Sequence, residues 1–190
     1  MTIDSSRKAE RDERLSLDTL FHWLERMPVP GGHKVEVVEG AVHFWPQRDN
    51  HWDLTIAVYE QLRTRYPRRR LLSDVRVDFP GHLNGFCPDV VLLKDGAARG
   101  RLRYQDVLFV AEVITKNTAR NDYGPKKDAY AAAGVPVYLV VDPYAAHCTV
   151  HAEPHNGSYC VWPAIGFGDP VDLTGTAVGL AIDTGDFEQE

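Results

Sequence analysis

The chain has 190 residues, 44% of them hydrophobic and 25% charged, which suits a single globular domain and argues against disorder. The formal net charge of −6 argues against a protein that coats nucleic acid non-specifically, because such binding needs an excess of lysine and arginine. The three cysteines are odd in number and lack C-x-x-C spacing, which argues against a disulfide framework and a zinc ribbon.

The N-terminal segment differs in composition from the rest of the chain. Residues 1–14 carry many charges and almost no apolar side chains, which predicts a flexible tail ahead of one domain over residues 15–190. No apolar run approaches the ~18 to 20 residues of a membrane-spanning helix, and we find no secretory signal. We therefore expect a cytoplasmic protein without membrane contact.

The first half of the chain alternates between helical and β-type patterns. Amphipathic spacing predicts a helix from Ser16 to Met27, ended by Pro28. Two β-type runs within Lys34 to Trp45, separated by Glu39-Gly40, predict a hairpin. A second helix is predicted from Asn50 to Tyr66.

The next segments predict a mixed sheet. Strands are expected from Leu72 to Phe79 and from Phe86 to Leu93. The nearly continuous apolar run Val107 to Ile114 is typical of a strand covered on both faces. A helix from Pro125 to Ala133 and a buried strand from Val137 to Val141 would complete a βαβ unit.

The predicted fold class is α/β. It consists of a mixed sheet of roughly five or six strands flanked by three helices, followed by a β-rich C-terminal extension. The histidines of this extension, His147, His151 and His155, are interpreted as surface residues. On a strand the first two stand ~13 Å apart, too far to share one metal ion.

Glu112 is the one charge in the apolar run from Val107 to Ile114. A buried carboxylate costs several kcal/mol unless it is paired or binds a cation. Asp89, which follows Pro88 on the neighbouring β-type run, is a natural second ligand for a hard divalent cation. The alternatives are a structural salt bridge and an exposed glutamate at a sheet edge.

The order of Pro88-Asp89 followed by Glu112 in a hydrophobic strand resembles the PD-(D/E)XK nuclease superfamily. The closest resemblance is to its Uma-type branch of restriction endonucleases. It extends from about Leu17 to Asp142, and its most specific stretch is Asp122 through Gly134 to Pro143. The resemblance implies a restriction-endonuclease-like fold and a metal-dependent endonuclease that hydrolyses nucleic-acid phosphodiester bonds.

One position departs from the superfamily pattern. The lysine usual two residues after the glutamate is replaced by Ile114. In the Uma-type branch a lysine from the following helix takes this role, and the matching residue is Lys126. Pro125 suits a first helical turn, where the helix dipole disfavours a cation by ~0.3 to 1 kcal/mol, so a functional role is favoured over simple solvation.

Two more residues match positions of the family. Glu36 corresponds to an acidic residue on the first hairpin and is a candidate for completing the catalytic site, whereas Glu39 beside Gly40 fits turn chemistry. His51 falls where the family often has histidine. It could contact a phosphate, although a capping or partly buried histidine is an equal alternative.

The resemblance implies a mechanism and partners. Asp89 and Glu112 would hold Mg²⁺, with Mn²⁺ as an alternative, and Lys126 would orient water or stabilise charge on the phosphate. We expect nucleic acid, in particular DNA, as substrate, and a homodimer as the assembly. Two rival interpretations remain: a non-catalytic binding module, favoured by Ile114, and a structural or interaction protein, favoured by the acidic charge.

Overall fold

The computed structural model describes residues 16–28, 33–46, 49–97, 100 and 102–190. The predicted tail of residues 1–14 lies outside these ranges. Helix α1 spans Leu17–Leu24 and helix α2 spans Asp49–Arg63. The hydroxyl of Ser16 caps α1 by accepting a hydrogen bond of 3.1 Å from the Thr19 N–H. Both helices form where predicted, but each ends a turn earlier than expected. Within the described ranges, no helix is long and apolar enough to cross a bilayer.

The strands range from two to nine residues in length. In chain order they are β1 His33–Val38, β2 Ala41–Pro46, β3 Leu71–Leu72, β4 Val77–Phe79, β5 Asn84–Phe86, β6 Val90–Leu93, β7 Val107–Val113, β8 Val137–Asp142, β9 His147–His155, β10 Ser158–Val161, β11 Ile165–Gly166, β12 Val171–Asp172 and β13 Ala181–Ile182.

Most of these strands form one large mixed sheet. Its order is β10-β9-β8-β7-β6-β3, with β11 beside β9, which gives seven strands among the described residues. Strands β7 and β8 are parallel, as expected for the predicted βαβ unit, and the other neighbours in this sheet are antiparallel. The C-terminal part is β-rich, as predicted.

A smaller sheet has the order β2-β1-β5-β4. Strands β1 and β2 form the predicted hairpin, in which Val38 pairs with Ala41. The two turn residues Glu39 and Gly40 both have positive φ, 51° and 80°, as a tight two-residue hairpin requires. This sheet brings β1 over the large sheet, because Val38 belongs to the same core cluster as residues of β6, β7 and β8.

Two predicted strands are divided in the structure. The segment from Leu72 to Phe79 splits into β3 in the large sheet and β4 in the small one, with Asp74 at a φ of 54° between them. The segment from Phe86 to Leu93 splits into β5 and β6 in the same way. The prediction of continuous strands was wrong because apolar alternation does not reveal a change of sheet partner.

The core lies on both faces of the large sheet. Alternate residues of β7, such as Phe109 and Ala111, belong to a cluster with Leu54 and Val58 of α2. The intervening residues of β7, including Val110, belong to a second cluster. The strand β7 is therefore covered on both faces, as its apolar sequence predicts.

The helical segment after β7 begins earlier than predicted. It consists of α3 (Ala119–Asn121), a wide π-type turn (Asp122–Lys126) and α4 (Lys127–Ala132). Gly124 departs from helical geometry at φ −116° and ψ −107°. The kink at Gly124 therefore separates two helices, and Pro125 stands at the start of the second one, as predicted, where its missing N–H costs no helical hydrogen bond.

Candidate active site

Asp89 and Glu112 lie side by side in the large sheet. Asp89 directly precedes β6, and Glu112 lies in the neighbouring strand β7, where Val90 pairs with Ala111. The Val113 N–H donates a hydrogen bond of 2.8 Å to Oδ2 of Asp89. The Asp89 N–H approaches Oε2 of Glu112 at 3.4 Å. Both residues are 1% exposed, so their carboxylates are held by backbone groups rather than by water.

Glu36 reaches the same region from the small sheet. It lies on β1, is 1% exposed, and its Oε1 accepts a hydrogen bond of 2.8 Å from the Cys87 N–H. Glu39 is exposed at the hairpin turn. The hairpin thus brings Glu36, and not Glu39, to the predicted carboxylates.

Lys126 extends into the group of carboxylates. Its Nζ lies 2.6 Å from Oε1 of Glu112, 2.9 Å from Oδ1 of Asp122 and 3.2 Å from Oε1 of Glu36. The kink at Gly124 leaves Lys126 at the N-cap of α4, at the helix start where the dipole argument placed it. The dipole at this end does not stabilise the cation. The lysine is held instead by carboxylates on three sides.

Lys34 is a second ammonium group that the sequence analysis missed. Its Nζ lies 2.7 Å from Oδ1 of Asp89, 3.5 Å from Oε2 of Glu112 and 3.9 Å from Oε1 of Glu36. Strand alternation contains the missing signal: residues two apart on a strand share a face, so placing Glu36 in the site also places Lys34 there.

Asp122 was also missed, although it stands four residues before Lys126 on a helical segment. Glu36, Asp89, Glu112 and Asp122, together with Lys34 and Lys126, are called the charge cluster below. All four carboxylate residues and Lys126 are 1% exposed. The cluster joins residues from the small sheet, the large sheet and the helical segment.

Two further side chains, those of His51 and Tyr130, contact the predicted metal ligands. Nε2 of His51, at the start of α2, lies 3.1 Å from Oδ2 of Asp89. The hydroxyl of Tyr130, on α4, donates a hydrogen bond of 2.6 Å to Oε1 of Glu112. Each of the two predicted metal ligands therefore has a side chain that fixes its orientation.

The two predicted metal ligands differ in proton affinity. Burial raises the pKa of Glu112 to about 8, although Lys126 and Lys34 oppose the shift. Burial acts on Asp89 in the same direction, but Lys34 and His51 outweigh it and hold the pKa of this carboxyl well below its usual range. Asp89 therefore holds its negative charge more strongly than Glu112, which has the greater affinity for a proton.

The pKa values of the other charged groups also depend on the balance between burial and neighbouring charges. Burial would raise the pKa of Glu36, but Lys126, Lys34 and the Cys87 N–H together lower it. Burial raises the pKa of Asp122 in spite of Lys126. Burial opposes the charged forms of both lysines, yet the surrounding carboxylates raise their pKa values well above the usual range. Both lysines are therefore ammonium ions at neutral pH.

The composition of the cluster suits a hard divalent cation. Four carboxylates face two ammonium groups, so the ionised cluster has an excess of two negative charges. Its donors are oxygens, which Mg²⁺ and Mn²⁺ prefer. In the described part of the chain, however, no three His, Cys, Asp or Glu side chains converge in a metal-binding arrangement.

The space between the predicted ligands is small. A cavity of about 10 Å³, lined by Lys34, Asp89, Glu112 and neighbouring residues, has room for about one water molecule. The ammonium of Lys34 stands between the two carboxylates. The donor chemistry therefore fits a metal ion, but an ion bound by Asp89 and Glu112 requires Lys34 to move.

A wider groove lies beside the cluster. It has a volume of about 1100 Å³ and runs along α2 and β3. Trp52, which is 52% exposed, and Tyr59 provide aromatic surface. Among the described residues, the charged side chains that line it are three arginines and one glutamate: Arg63, Arg68, Arg69 and Glu60. The groove is thus positive in a protein of negative net charge.

Two chain segments are shared by the groove and the cluster. On α2, His51 contacts Asp89 while the next residue, Trp52, lines the groove. In the segment after β3, Oδ1 of Asp74 lies 3.9 Å from Nζ of Lys34, and its neighbours Ser73 and Val75 line the groove. The groove and the cluster are therefore adjacent along the chain at α2 and at the segment after β3, although they share no lining residue among those described.

The C-terminal histidines were predicted to be surface residues, and this prediction is wrong for His151. His151 is 4% exposed and stacks on Tyr138 with ring centroids 5.3 Å apart. It is a core residue, because strand β9 is covered by α4 and β10 at this point. His155 is exposed, as predicted.

The chain is similar to a known protein family and to a solved structure. A family model described as "Uma2: Putative restriction endonuclease" matches residues 21–185. The curated proteins contain no match. Among solved structures, the chain is similar to a "putative nuclease belonging to DUF820" from Anabaena variabilis, with 13% identity and a TM-score of 0.68. The match covers 91% of this chain and 97% of that one. At this identity the likeness shows the fold, and the expected α/β, restriction-endonuclease-like fold is confirmed.

Proposed function

Because this chain belongs to the Uma2 family, whose model is described as "Putative restriction endonuclease", we propose that it hydrolyses nucleic-acid phosphodiester bonds at the charge cluster. One observation carries the proposal: four carboxylates and two ammonium groups from separate elements converge in the protein interior. Burying so many charges is costly, and strongly shifted pKa values in a cleft are typical of functional sites.

Asp89 and Glu112 are the proposed metal ligands. Mg²⁺, or Mn²⁺ in its place, would supply Lewis-acid polarisation of the scissile phosphate and acidify a water molecule. Asp89 is aligned by the Val113 N–H and by His51. Glu112 is aligned by Tyr130 and Lys126. Such partners fix the direction of ligand lone pairs, which is a large part of metal affinity.

Lys126 is proposed as a positioning residue. An ammonium group has three N–H donors, and three carboxylates lie within 3.2 Å of this one. It therefore has no donor left for a substrate phosphate in this arrangement. Lys126 holds Glu112 and Glu36 at a fixed separation, and Glu36 completes the site through this contact.

DNA is the proposed substrate, and the groove along α2 is its proposed binding surface. Arg63, Arg68 and Arg69 suit phosphate groups, and the faces of Trp52 and Tyr59 suit unpaired bases. A strand lying in the groove would pass Trp52, the residue next to His51, and this is the proposed route by which a phosphate reaches Asp89.

A second candidate function is binding without catalysis. It is favoured by the two ammonium groups that already pair with the carboxylates and by the small cavity between them. In that case the protein would bind nucleic acid through the groove and neither bind a divalent metal at the cluster nor cleave.

Cleavage assays distinguish the two functions. Plasmid, single-stranded DNA and RNA are incubated with the protein and Mg²⁺, Mn²⁺ or EDTA. We expect metal-dependent cleavage that falls at least ~10²-fold in Asp89→Asn. The matched control is Asp128→Asn, whose side chain is 70% exposed on α4, and it should leave the rate unchanged. Equal cleavage by Asp89→Asn would identify a contaminating nuclease. Metal-independent binding without cleavage would favour the binding function.

A further inference from the structure

Lys34 is placed differently from Lys126 within the charge cluster. Among the described residues, only the carboxylate of Asp89, at 2.7 Å, lies within 3 Å of its ammonium. Glu112 lies at 3.5 Å, and Glu36 and Asp74 lie at 3.9 Å. The side chain of Lys34 is 7% exposed, against 1% for Lys126. Lys34 is therefore the more loosely held ammonium and the one nearer the surface.

The ammonium of Lys34 also occupies the position that a metal ion would need. It contacts Oδ1 of Asp89 and lies near Oε2 of Glu112, the oxygens of the two proposed ligands. The adjoining cavity of about 10 Å³ leaves no room for a second cation with its water molecules. A lysine and a divalent ion cannot share this position, because their like charges would repel strongly in a buried site.

We propose that Lys34 is an internal counter-ion of the Asp89–Glu112 pair, which a divalent cation displaces towards the groove when it binds. This inference rests on the proposed function, because it assumes that Asp89 and Glu112 bind metal. The displaced ammonium faces the phosphate backbone lying in the groove. Lys34 thus supplies the mobile positive charge that Lys126, with its donors occupied, does not.

The proposed displacement carries the Lys34 ammonium towards Asp74. Asp74 lies 3.9 Å from Nζ of Lys34 and belongs to the segment that lines the groove. Its side chain is 32% exposed, against 1% for Glu112 and Glu36, so a shift of the flexible lysine stem towards Asp74 is a shift towards the surface. Lys126 has no such exit, because its three carboxylate neighbours enclose it.

Because the metal ion displaces the Lys34 ammonium, the affinity for the metal depends on this lysine. A metal ion that must expel a bound ammonium binds more weakly than one entering a free pair of carboxylates, and the two affinities are reciprocally coupled. Removing the ammonium should therefore tighten metal binding. In the absence of metal, the same change removes the ammonium nearest to Asp89 and leaves Glu112 with Lys126 as its ammonium partner.

The wild-type protein gives the most direct test. Lysines are reductively methylated with and without saturating Ca²⁺ or Mn²⁺, and labelling is mapped by peptide mass spectrometry. We expect metal to raise the labelling rate of Lys34 about tenfold. Lys126 should stay protected, and Lys127, whose side chain is 33% exposed, should react equally in both conditions. Unchanged labelling of Lys34 while calorimetry shows metal bound would overturn the inference.

Lys34→Met gives the second test. Its affinity for Mn²⁺ should rise about tenfold, and its melting temperature without metal should fall by about 5 to 15 °C and recover with Mn²⁺. Lys127→Met is the matched control and should change neither quantity. Lower stability that Mn²⁺ does not restore, or weaker Mn²⁺ binding, would show a purely structural ion pair. If Lys34→Met does not fold, the labelling experiment decides.

The two proposals fail in different ways. If neither the wild type nor Lys34→Met binds Mn²⁺ in calorimetry, the metal-dependent function is wrong and the inference falls with it. If the wild type binds Mn²⁺ and cleaves DNA while Lys34 stays protected, only the displacement of Lys34 is wrong.

Discussion

The hydroxyl of Tyr130 donates a hydrogen bond of 2.6 Å to Oε1 of Glu112, and both residues are almost completely buried. The ring of Tyr130 is fixed on its other sides by edge-to-face contacts with Phe79, Phe86 and Tyr138. The aromatic core thereby sets the position of one oxygen of a proposed metal ligand.

Tyr130→Phe should show whether the hydrogen bond to Glu112 supports metal binding as well as the stability of the fold. Loss of the hydrogen bond should lower the free energy of unfolding by about 1 to 2 kcal/mol and weaken Mn²⁺ binding about tenfold. The matched control is Tyr66→Phe, which loses a buried hydrogen bond of 2.6 Å to the Val178 carbonyl oxygen. It should lower stability similarly and leave Mn²⁺ affinity unchanged. Equal Mn²⁺ affinities in the two variants would contradict the positioning role.

The adjacent lysines Lys126 and Lys127 should respond very differently to removal of charge. Lys126→Met leaves three buried carboxylates short of a counter-ion and should cost about 3 to 5 kcal/mol of stability in thermal or urea unfolding. Lys127 pairs with the exposed Asp128 at 3.4 Å, so Lys127→Met should stay within about 0.5 kcal/mol of wild type. Similar losses for both variants would show that Lys126 is not enclosed by carboxylates.

The groove can be tested by removing two of its arginines. Arg68→Ala combined with Arg69→Ala should weaken binding of single-stranded DNA about tenfold at ~0.1 M salt and lower the salt dependence by about two ions. Fluorescence anisotropy without divalent metal measures both quantities. Arg26, an exposed arginine that does not line the groove, provides the control Arg26→Ala. Unchanged affinity in the double variant would move the DNA to another surface.

His151 predicts an acid sensitivity of the fold that is unrelated to the charge cluster. Burial, with a smaller effect of Lys127, lowers the pKa of His151 from 6.5 to about 4, and neither ring nitrogen has a hydrogen-bond partner among the described residues. The unfolded chain therefore takes up a proton that the folded protein refuses. Stability should decrease as the pH falls from about 6.5 towards 4.

His151→Phe should remove this part of the acid sensitivity. Melting temperatures measured between about pH 7 and pH 4.5 should fall less steeply in the variant than in the wild type. His155→Phe, at an exposed position of the same strand, is the control and should follow the wild type. Parallel curves for His151→Phe and the wild type would show that His151 does not resist protonation.

The sequence predicts the carboxylates of the site better than its ammonium groups. Glu112 is conspicuous because a single charge interrupts an apolar strand, and Asp89 follows from its neighbouring position. Lys126 was found through the family resemblance and through its place at the start of a helix. Lys34 escaped notice because it stands at the edge of a hairpin, where a lysine is usually solvated.

The fold, like the site, could be predicted from the sequence only in part. Elements defined by their own periodicity, such as α2 and β7, appear with nearly the predicted bounds. The breaks at Asp74 and at Cys87-Pro88-Asp89 depend on which sheet each half joins, and this is decided by contacts distant in sequence. For the same reason Glu36 and Asp122, far apart in the chain, could not be joined through Lys126 from spacing alone.

The enclosure of Lys126 constrains how this site can change during evolution. A single substitution in the cluster leaves an unpaired buried charge, at a cost of about 3 to 5 kcal/mol against a total stability of about 5 to 15 kcal/mol. Variants that survive should therefore lose an acid and a base together, or replace a charge at one position by the same charge at a neighbouring one. Among related sequences, Lys126 should vary jointly with Asp122, and Lys34 jointly with Asp89.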